Sequence, residues 1–262
     1  MTAAAPAAGT SGAGEVILSA RGLTKEFFGF RAVSDVDLDV RRGTIHALIG
    51  PNGAGKTTVF NLLTKFFAPT TGTITFDGRD ITRTGPAEVA RLGLVRSFQI
   101  SAVFPHLTVL DNVRVALQRP AGLSTQFWRS NRLLHRLDDR ALELIEAVNL
   151  ADSAHLQAVE LSYGRKRALE IATTLALDPP VMLFDEPMAG MGAEDIGRIS
   201  ALIRHIGKGR TILMVEHNLS VVADLCDEVT VLARGEILSQ GSYATVSADP
   251  RVKEAYLGSE HE

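Results

Sequence analysis

The chain is 262 residues long, with 45% hydrophobic and 22% charged residues and a formal net charge of −3. This is ordinary for a globular protein with one large α/β domain or two joined lobes, and it gives no bulk attraction for nucleic acid. The single cysteine, Cys226, rules out an intrachain disulfide and a multi-cysteine metal site, and no apolar run reaches the roughly 18 residues that cross a bilayer.

The opening "MTAAAPAAGTSGAG" has neither a basic start nor a Leu-rich stretch and reads as a disordered tail over residues 1–14, with order expected from Glu15. Val36, Leu38 and Val40 then alternate with Asp37 and Asp39, the pattern of a half-buried strand. "TIHALIG" runs into a Gly-rich turn, and "KTTVFNLLTKFF" from Lys56 is apolar on most sides, as in a buried helix. "GTITFDG" is a short strand bounded by glycines. From about Leu110 to Ala176 the chain is rich in Leu, Ala and Arg, and Leu134, Leu137, Ala141, Leu144, Ile145 and Val148 recur at helical spacing. A helical subdomain is expected over roughly residues 100–176. "PPVMLFDEP" and "TILMVEH" are continuous apolar runs, suited to central strands of a parallel sheet. "VTVLARGEILSQG" reads as a hairpin turning at Arg234-Gly235. One domain over residues 15–258, followed by a short tail at 259–262, accommodates all of these elements.

The chemistry begins at "GPNGAGKTT", which comprises Gly50, Pro51, Asn52, Gly53, Ala54, Gly55, Lys56, Thr57 and Thr58. It fits G-x-x-x-x-G-K-[ST] between an expected strand and an expected helix, the setting of a phosphate-binding loop. The glycines let backbone N–H groups curl around phosphate oxygens, Lys56 reaches the β- and γ-phosphates, and Thr57 offers its hydroxyl to Mg2+. The helix start adds its own partial positive charge. In "VMLFDEP", Asp185 closes an apolar run, where a carboxylate holds Mg2+ through water, and Glu186 can orient and deprotonate an attacking water. An acidic pair after a strand is usually just a solvated turn; the loop at Lys56 reverses that balance. Gln99 and His217 also close strand-like runs, and in an open α/β sheet such ends converge on the ligand crevice. A neutral His can bond a γ-phosphate oxygen or the attacking water, and a Gln can touch Mg2+. Finally, "LSYGRKR" begins a helix with Ser162 as its cap and with Gly164 expected to open the backbone. Arg165, Lys166 and Arg167 crowd its first turn, where an exposed cation is unfavourable by ~0.3–1 kcal/mol. The turn reads as one awaiting an anion.

From about Glu15 to Gly258 the sequence resembles the ATP-binding subunits of ABC transporters. The motif order is the family's: an aromatic at Phe27, the phosphate loop, Gln99, "LSYGRKR", "MLFDE" and His217. The resemblance implies a P-loop ATPase fold with a mainly parallel core sheet, an antiparallel β subdomain and a helical subdomain. It implies ATP and Mg2+ as cofactors, Phe27 (or the adjacent Phe28) stacked on adenine, and Thr57, Gln99 and Asp185 around the metal. Lys56, Gln99, Glu186 and His217 would serve hydrolysis. Leu161, Ser162, Tyr163 and Gly164 would bind the γ-phosphate of ATP held by a second ATPase subunit, different or identical, in a head-to-tail dimer; that is the anion the turn awaits. Tyr163 and Arg165 depart from the usual Leu-Ser-Gly-Gly-Gln pattern, and Gly192 stands where many members carry an aspartate.

Within the family, "RSFQISAVFPHLTVLDNV", the closing "DPRVKEAYLGSEHE" and the helical insert from Gln118 to Asn149 resemble the larger ATPase subunit of branched-chain amino acid uptake systems. The resemblance implies two permease subunits, a substrate-binding protein reached through them, and a peripheral place on the cytoplasmic face of the membrane. A groove near Gln99, with Phe104, Pro105 and Leu107, is the expected permease contact. Importers of urea, amides or aromatic acids would carry a similar ATPase. Lipid or lipopolysaccharide exporters usually lack the insert, and cassettes acting on ribosomes or DNA usually carry two copies or basic segments. Intact Glu186 and His217 argue against a non-hydrolysing subunit. In the insert, Trp128, Arg129, Arg132, Arg136 and Arg140 could face anionic lipid, but arginines so placed more often pair with acids such as Asp138 and Asp139.

Overall fold

The computed structural model describes residues 14–97, 103–122 and 136–257. Gln99, Trp128, Arg129, Arg132, Leu134, the 259–262 tail and nearly all of the 1–14 tail lie outside these described residues.

The elements run in chain order: β1 (Val16–Phe27), β2 (Phe30–Arg41), β3 (Ile45–Ile49), α1 (Lys56–Leu63), β4 (Thr71–Phe76), β5 (Arg79–Asp80), α2 (Pro86–Leu92) and β6 (Leu94–Ser97). Three helices come next, α3 (Val109–Gln118), α4 (Asp138–Ala147) and α5 (Tyr163–Leu175). The chain continues with β7 (Val181–Asp185), α6 (Ala193–Gly207), β8 (Thr211–Val215), α7 (Leu219–Leu225), β9 (Glu228–Ala233), β10 (Glu236–Gly241), α8 (Tyr243–Ala248) and α9 (Pro250–Leu257).

Two sheets carry the molecule. The antiparallel sheet runs β2-β1-β4-β5, and the other runs β10-β9-β3-β8-β7-β6. In the second sheet β9, β3, β8, β7 and β6 are parallel, and only β10 returns antiparallel. Every residue of β3, β7 and β8 is buried, as the continuous apolar runs predict for strands covered on both faces. The two faces feed different cores. Ile45, Ala47, Met182, Phe184, Ile212 and Met214 pack among the helices on one side. Leu48, Val181, Leu183, Leu213 and Val215 pack with α1 and the antiparallel sheet on the other.

Most local expectations hold where residues are described, but α1 ends at Leu63, short of the run expected to Phe67, and Phe66 and Phe67 are exposed. Val36, Leu38 and Val40 are buried on β2, and Val59, Phe60, Leu62 and Leu63 are buried on α1. Ala141, Leu144 and Ile145 form the buried stripe of α4, continued by Val148. The Arg234-Gly235 hairpin joins β9 to β10 by a two-residue turn with both φ angles positive (51° and 84°), which suits the twist of paired strands. A second such turn is less legible. Phe27 pairs with Phe30, so Phe28 and Gly29 make the turn between β1 and β2, with Phe28 fully exposed at φ 49°. A bulky aromatic is seldom found at positive φ.

Strand register sets the site. Asp185 at the end of β7 lies level with Val215 at the end of β8, and Val215 lies level with Leu48 near the end of β3. Ser97 on β6 lies level with Phe184. The C-terminal ends of four parallel strands therefore share one edge, and the turns that leave β3, β7 and β8 are brought together there.

Candidate nucleotide-binding site

The phosphate loop leaves β3 at Gly50 and enters α1 at Lys56. Two of its glycines answer to definite crowding. A Cβ on Gly50, whose φ is 149°, would lie 2.0 Å from the Leu232 carbonyl oxygen; one on Gly55, at φ 99°, would lie 2.7 Å from that of Ala32. The β9–β10 turn is tied to both neighbours, because Gly235 donates its N–H to Ala54 O (3.0 Å) and its own carbonyl accepts from Ser34 N–H (2.8 Å). Lys56 is 9% exposed, and its Nζ donates to the carbonyls of Gly50 (2.7 Å) and Pro51 (2.9 Å). Burial draws its pKa below the usual lysine range, against the opposing pull of the Glu186 and Asp185 charges. Both acids are thus electrostatically close to Lys56. Thr57 lies exposed in the first turn of α1 beside half-buried Thr58.

Asp185 is 5% exposed and accepts a short hydrogen bond from Arg96, on the neighbouring strand β6. Glu186 stands next in line at φ 48°, held by its own N–H to Val215 O (3.0 Å). His217 is exposed just beyond β8. Between β8 and His217 sits Glu216, which is fully buried. One of its oxygens accepts Met188 N–H (3.1 Å), and the other accepts His217 N–H (3.1 Å) and Asn218 N–H (3.2 Å). A single carboxylate therefore ties the turn carrying His217 to the loop that comes after Glu186. Sequence reasoning missed Arg96 and Glu216. Their one signal was a charged residue inside or just after an otherwise apolar strand.

The "LSYGRKR" turn differs from expectation in two respects. Gly164 does not open the backbone: it is a buried residue of regular helix α5, and a Cβ there would meet the Asp195 carboxylate of α6 at 2.7 Å. Two of the three cations are answered within the chain. Arg165 bonds Asp152 (2.7 Å) and the Ser153 hydroxyl, while Arg167, 6% exposed, bonds Glu170 (2.6 Å). Arg167 also donates to the carbonyls of Glu186 (3.3 Å) and Pro187 (3.4 Å), which joins α5 to the loop bearing the acidic pair. What the turn still presents outward is Ser162, exposed at the N-cap with no side-chain cap bond, and Tyr163, 54% exposed; Leu161 is buried beneath them. Gly192 caps α6 with no side-chain bond.

The phosphate loop and this turn line different cavities. Pro51 to Ala54 line one of about 580 Å³ with Arg234, Arg251 and Glu254; Gly164 and Arg165 line one of about 380 Å³ with Asp195 and Arg198. Phe27 is half-buried, edge-on to Phe67 at 5.3 Å between centroids, with Lys25 Nζ 5.0 Å from its ring centre. Its hairpin reaches the phosphate loop through the Ala32 contact with Gly55.

A Gly-rich loop entering a buried helix, with an acidic pair and a His at neighbouring strand ends, defines a nucleoside-triphosphate site. The two sheets and helices around it match a known family. A profile described as ABC transporter matches residues 33–189, and the chain belongs to that family of ATP-binding cassettes. A second profile, described as branched-chain amino acid ATP-binding cassette transporter, matches residues 236–262. The chain is similar to the high-affinity branched-chain amino acid transport ATP-binding proteins LivG of Salmonella typhimurium (37% identical) and BraF of Pseudomonas aeruginosa (38%). Each alignment covers 92% of this chain and 98% of the relative. Among solved structures, the ADP conformation of MJ1267, an ATP-binding cassette of an ABC transporter, superposes with a TM-score of 0.81 at 29% identity, over 93% of this chain and 99% of that one.

Proposed function

We propose that this chain is the ATP-hydrolysing subunit of a branched-chain amino acid importer, acting with a second ATPase subunit in a head-to-tail dimer on two permease subunits. The observation that carries the chemistry is the convergence of Lys56, Asp185, Glu186 and the Glu216-His217 turn on one sheet edge. The transported substrate rests on the LivG and BraF relatives and on the match at residues 236–262.

On this reading, Lys56 exchanges the Gly50 and Pro51 carbonyls for the β- and γ-phosphates, and the loop's N–H groups and the start of α1 hold the remaining phosphate oxygens. Phe27, braced by Phe67, stacks on adenine. The Thr57 hydroxyl and the Asp185 carboxylate are hard oxygen donors, the set that Mg2+ takes together with substrate phosphates, and they fit that ion. Gln99 is assigned to the same ion by the family motif order alone. Bound with ATP, Mg2+ neutralises charge on the transferring phosphoryl group. Glu186 takes the proton of the attacking water, and His217 bonds a γ-phosphate oxygen. The second chain supplies Ser162 and the N–H groups of its α5 turn.

Among the described residues no helix is long and apolar enough to cross a membrane, so on this reading the permeases place the subunit at the cytoplasmic face. An apolar cavity of about 440 Å³ lies beside the strand that runs toward Gln99, lined by Ala87, Ala90, Leu94 and Ala116. It suits a permease element; Phe104, Pro105 and Leu107, exposed on an outer turn held by Asn112, are the other candidate for the permease contact. In the insert, Arg140 pairs with Glu143 (2.8 Å), in favour of a solvated helix over a lipid-facing one.

Glu186→Gln tests the hydrolytic core. The amide keeps size and hydrogen bonding but takes no proton, and loss of a general base typically costs ~10²–10⁴ in rate. Mg-ATP affinity should stay near wild type while steady-state turnover falls by that range. Turnover at the wild-type rate would refute the assignment.

A further inference from the structure

Arg96 is the charged residue of β6, 12% exposed in its side chain, and its guanidinium joins three elements. One terminal nitrogen bonds Asp185 Oδ2 at the end of β7; the other donates to Asn61 Oδ1 on α1 at 2.6 Å. Its charged group lies 5.9 Å from the Phe60 ring centre, also on α1. Its Nε is buried and has no hydrogen-bond partner among the described residues. A buried pair of this kind is weak evidence for stability, because desolvation of both charges offsets the attraction, and an unsatisfied donor adds a further cost. An apolar side chain would cover Phe60 with fewer penalties. What the guanidinium supplies instead is a planar fork that sets the direction of a carboxylate while anchored to a second element.

We propose that Arg96 is a positioning residue for the magnesium site. It holds Asp185 by Oδ2, so that the other carboxylate oxygen serves the metal's water shell, and it references that carboxylate to α1, the helix whose first turn carries Thr57. The two oxygen donors of the metal site thereby keep a fixed relation even though they stand on different elements. Partners that orient ligating groups in this way typically change metal affinity by about 10–100-fold when removed. The proposal rests on the reading of Asp185 as the magnesium-side carboxylate.

The test measures binding of a fluorescent ATP analogue to the purified full chain, in EDTA and across a magnesium titration, for wild type, Arg96→Gln, Arg96→Lys and Asp185→Asn. In EDTA, Arg96→Gln should bind within about twofold of wild type, which also reports an intact phosphate loop. Its magnesium midpoint should rise about 10–100-fold. Arg96→Lys keeps the cation but not the fork, and should lie between the two. An unchanged magnesium midpoint in Arg96→Gln, with a raised midpoint in Asp185→Asn, would overturn the role of Arg96 while leaving that of Asp185 intact. An unchanged midpoint in both would overturn the reading of Asp185 and the proposal with it. A lowered midpoint in Arg96→Gln would make Arg96 a competitor of the metal and would also overturn the proposal. So would equal losses with and without magnesium in both Arg96 variants, since these mark a role in folding alone.

Discussion

Glu216→Gln perturbs the junction between the His217 turn and the loop after Glu186. The wild-type carboxylate is fully buried and accepts three backbone N–H groups, one on Oε1 and two on Oε2. An amide has one acceptor oxygen. If that oxygen keeps His217 and Asn218, its NH2 faces the N–H of Met188, donor against donor; the reverse placement strands two donors. Hydrogen bonds to charged groups contribute ~1.5–3 kcal/mol each, and a buried unsatisfied donor costs ~1–3 kcal/mol. Removing a buried charge returns part of this through desolvation, so we expect a net loss of about 2–3 kcal/mol. For a chain of this size that corresponds to a fall in Tm of about 4–12 °C. Turnover should fall more than Mg-ATP affinity, because among the described residues the hydrogen bonds of Glu216 go to Met188, His217 and Asn218 and not to the phosphate loop. Thermal unfolding monitored by circular dichroism, alongside ATPase assays, measures both. A Tm within about 2 °C of wild type, below what 1 kcal/mol would give, with unchanged turnover would refute the idea that this carboxylate organises the junction.

Burial lowers the pKa of His46 from 6.5 to about 4, and its Nε2 lies 2.8 Å from Thr230 Oγ1. A depressed pKa gives stability that is complete above the unfolded value and is lost as pH falls through the folded one, so roughly 3 kcal/mol should disappear between pH 6.5 and pH 4. Urea unfolding across that window should show a shallower decline for His46→Gln than for wild type; equal slopes would exclude His46 as the source. Burial likewise pushes the Cys226 thiol up to about 12, with its Sγ 3.8 Å from Met214 Sδ. The folded protein should therefore resist alkylation by iodoacetamide at pH 8, and Cys226→Ala should keep full ATPase activity; rapid labelling without unfolding, or a large loss of activity, would contradict this.

Much of the site was legible because its elements announce themselves locally. The apolar runs before Gly50, Asp185 and Glu216 are buried on both faces, and a buried parallel sheet delivers its strand ends to one edge. The Arg234-Gly235 turn was readable for a similar reason, since glycine supplies one of its two positive φ angles. What stayed hidden depends on register between distant strands. Nothing local to Arg96 says that Asp185 will be its neighbour, and nothing local to Arg165 names Asp152 as its partner, whereas the Arg167–Glu170 pair, three residues apart on α5, follows from helical spacing. Gly164 was misread because close approach by Asp195 from another helix, not backbone freedom, is what excludes a side chain there. Phe28 was weighed only as a second candidate for stacking on adenine, because its place at a turn of positive φ runs against its size.

In the proposed dimer each ATP site is shared, with the phosphate loop from one chain and the Ser162 turn from another. The most direct test is the ATP affinity of the isolated, monomeric Ser162→Arg chain, measured by calorimetry beside Lys56→Ala. Ser162→Arg should bind ATP with wild-type affinity and Lys56→Ala should show a large loss, with the hydrolytic activity of Ser162→Arg lost only once it is assembled with its partner subunit. Abolished ATP binding in a well-folded Ser162→Arg monomer would place the turn in its own chain's pocket and contradict the shared site.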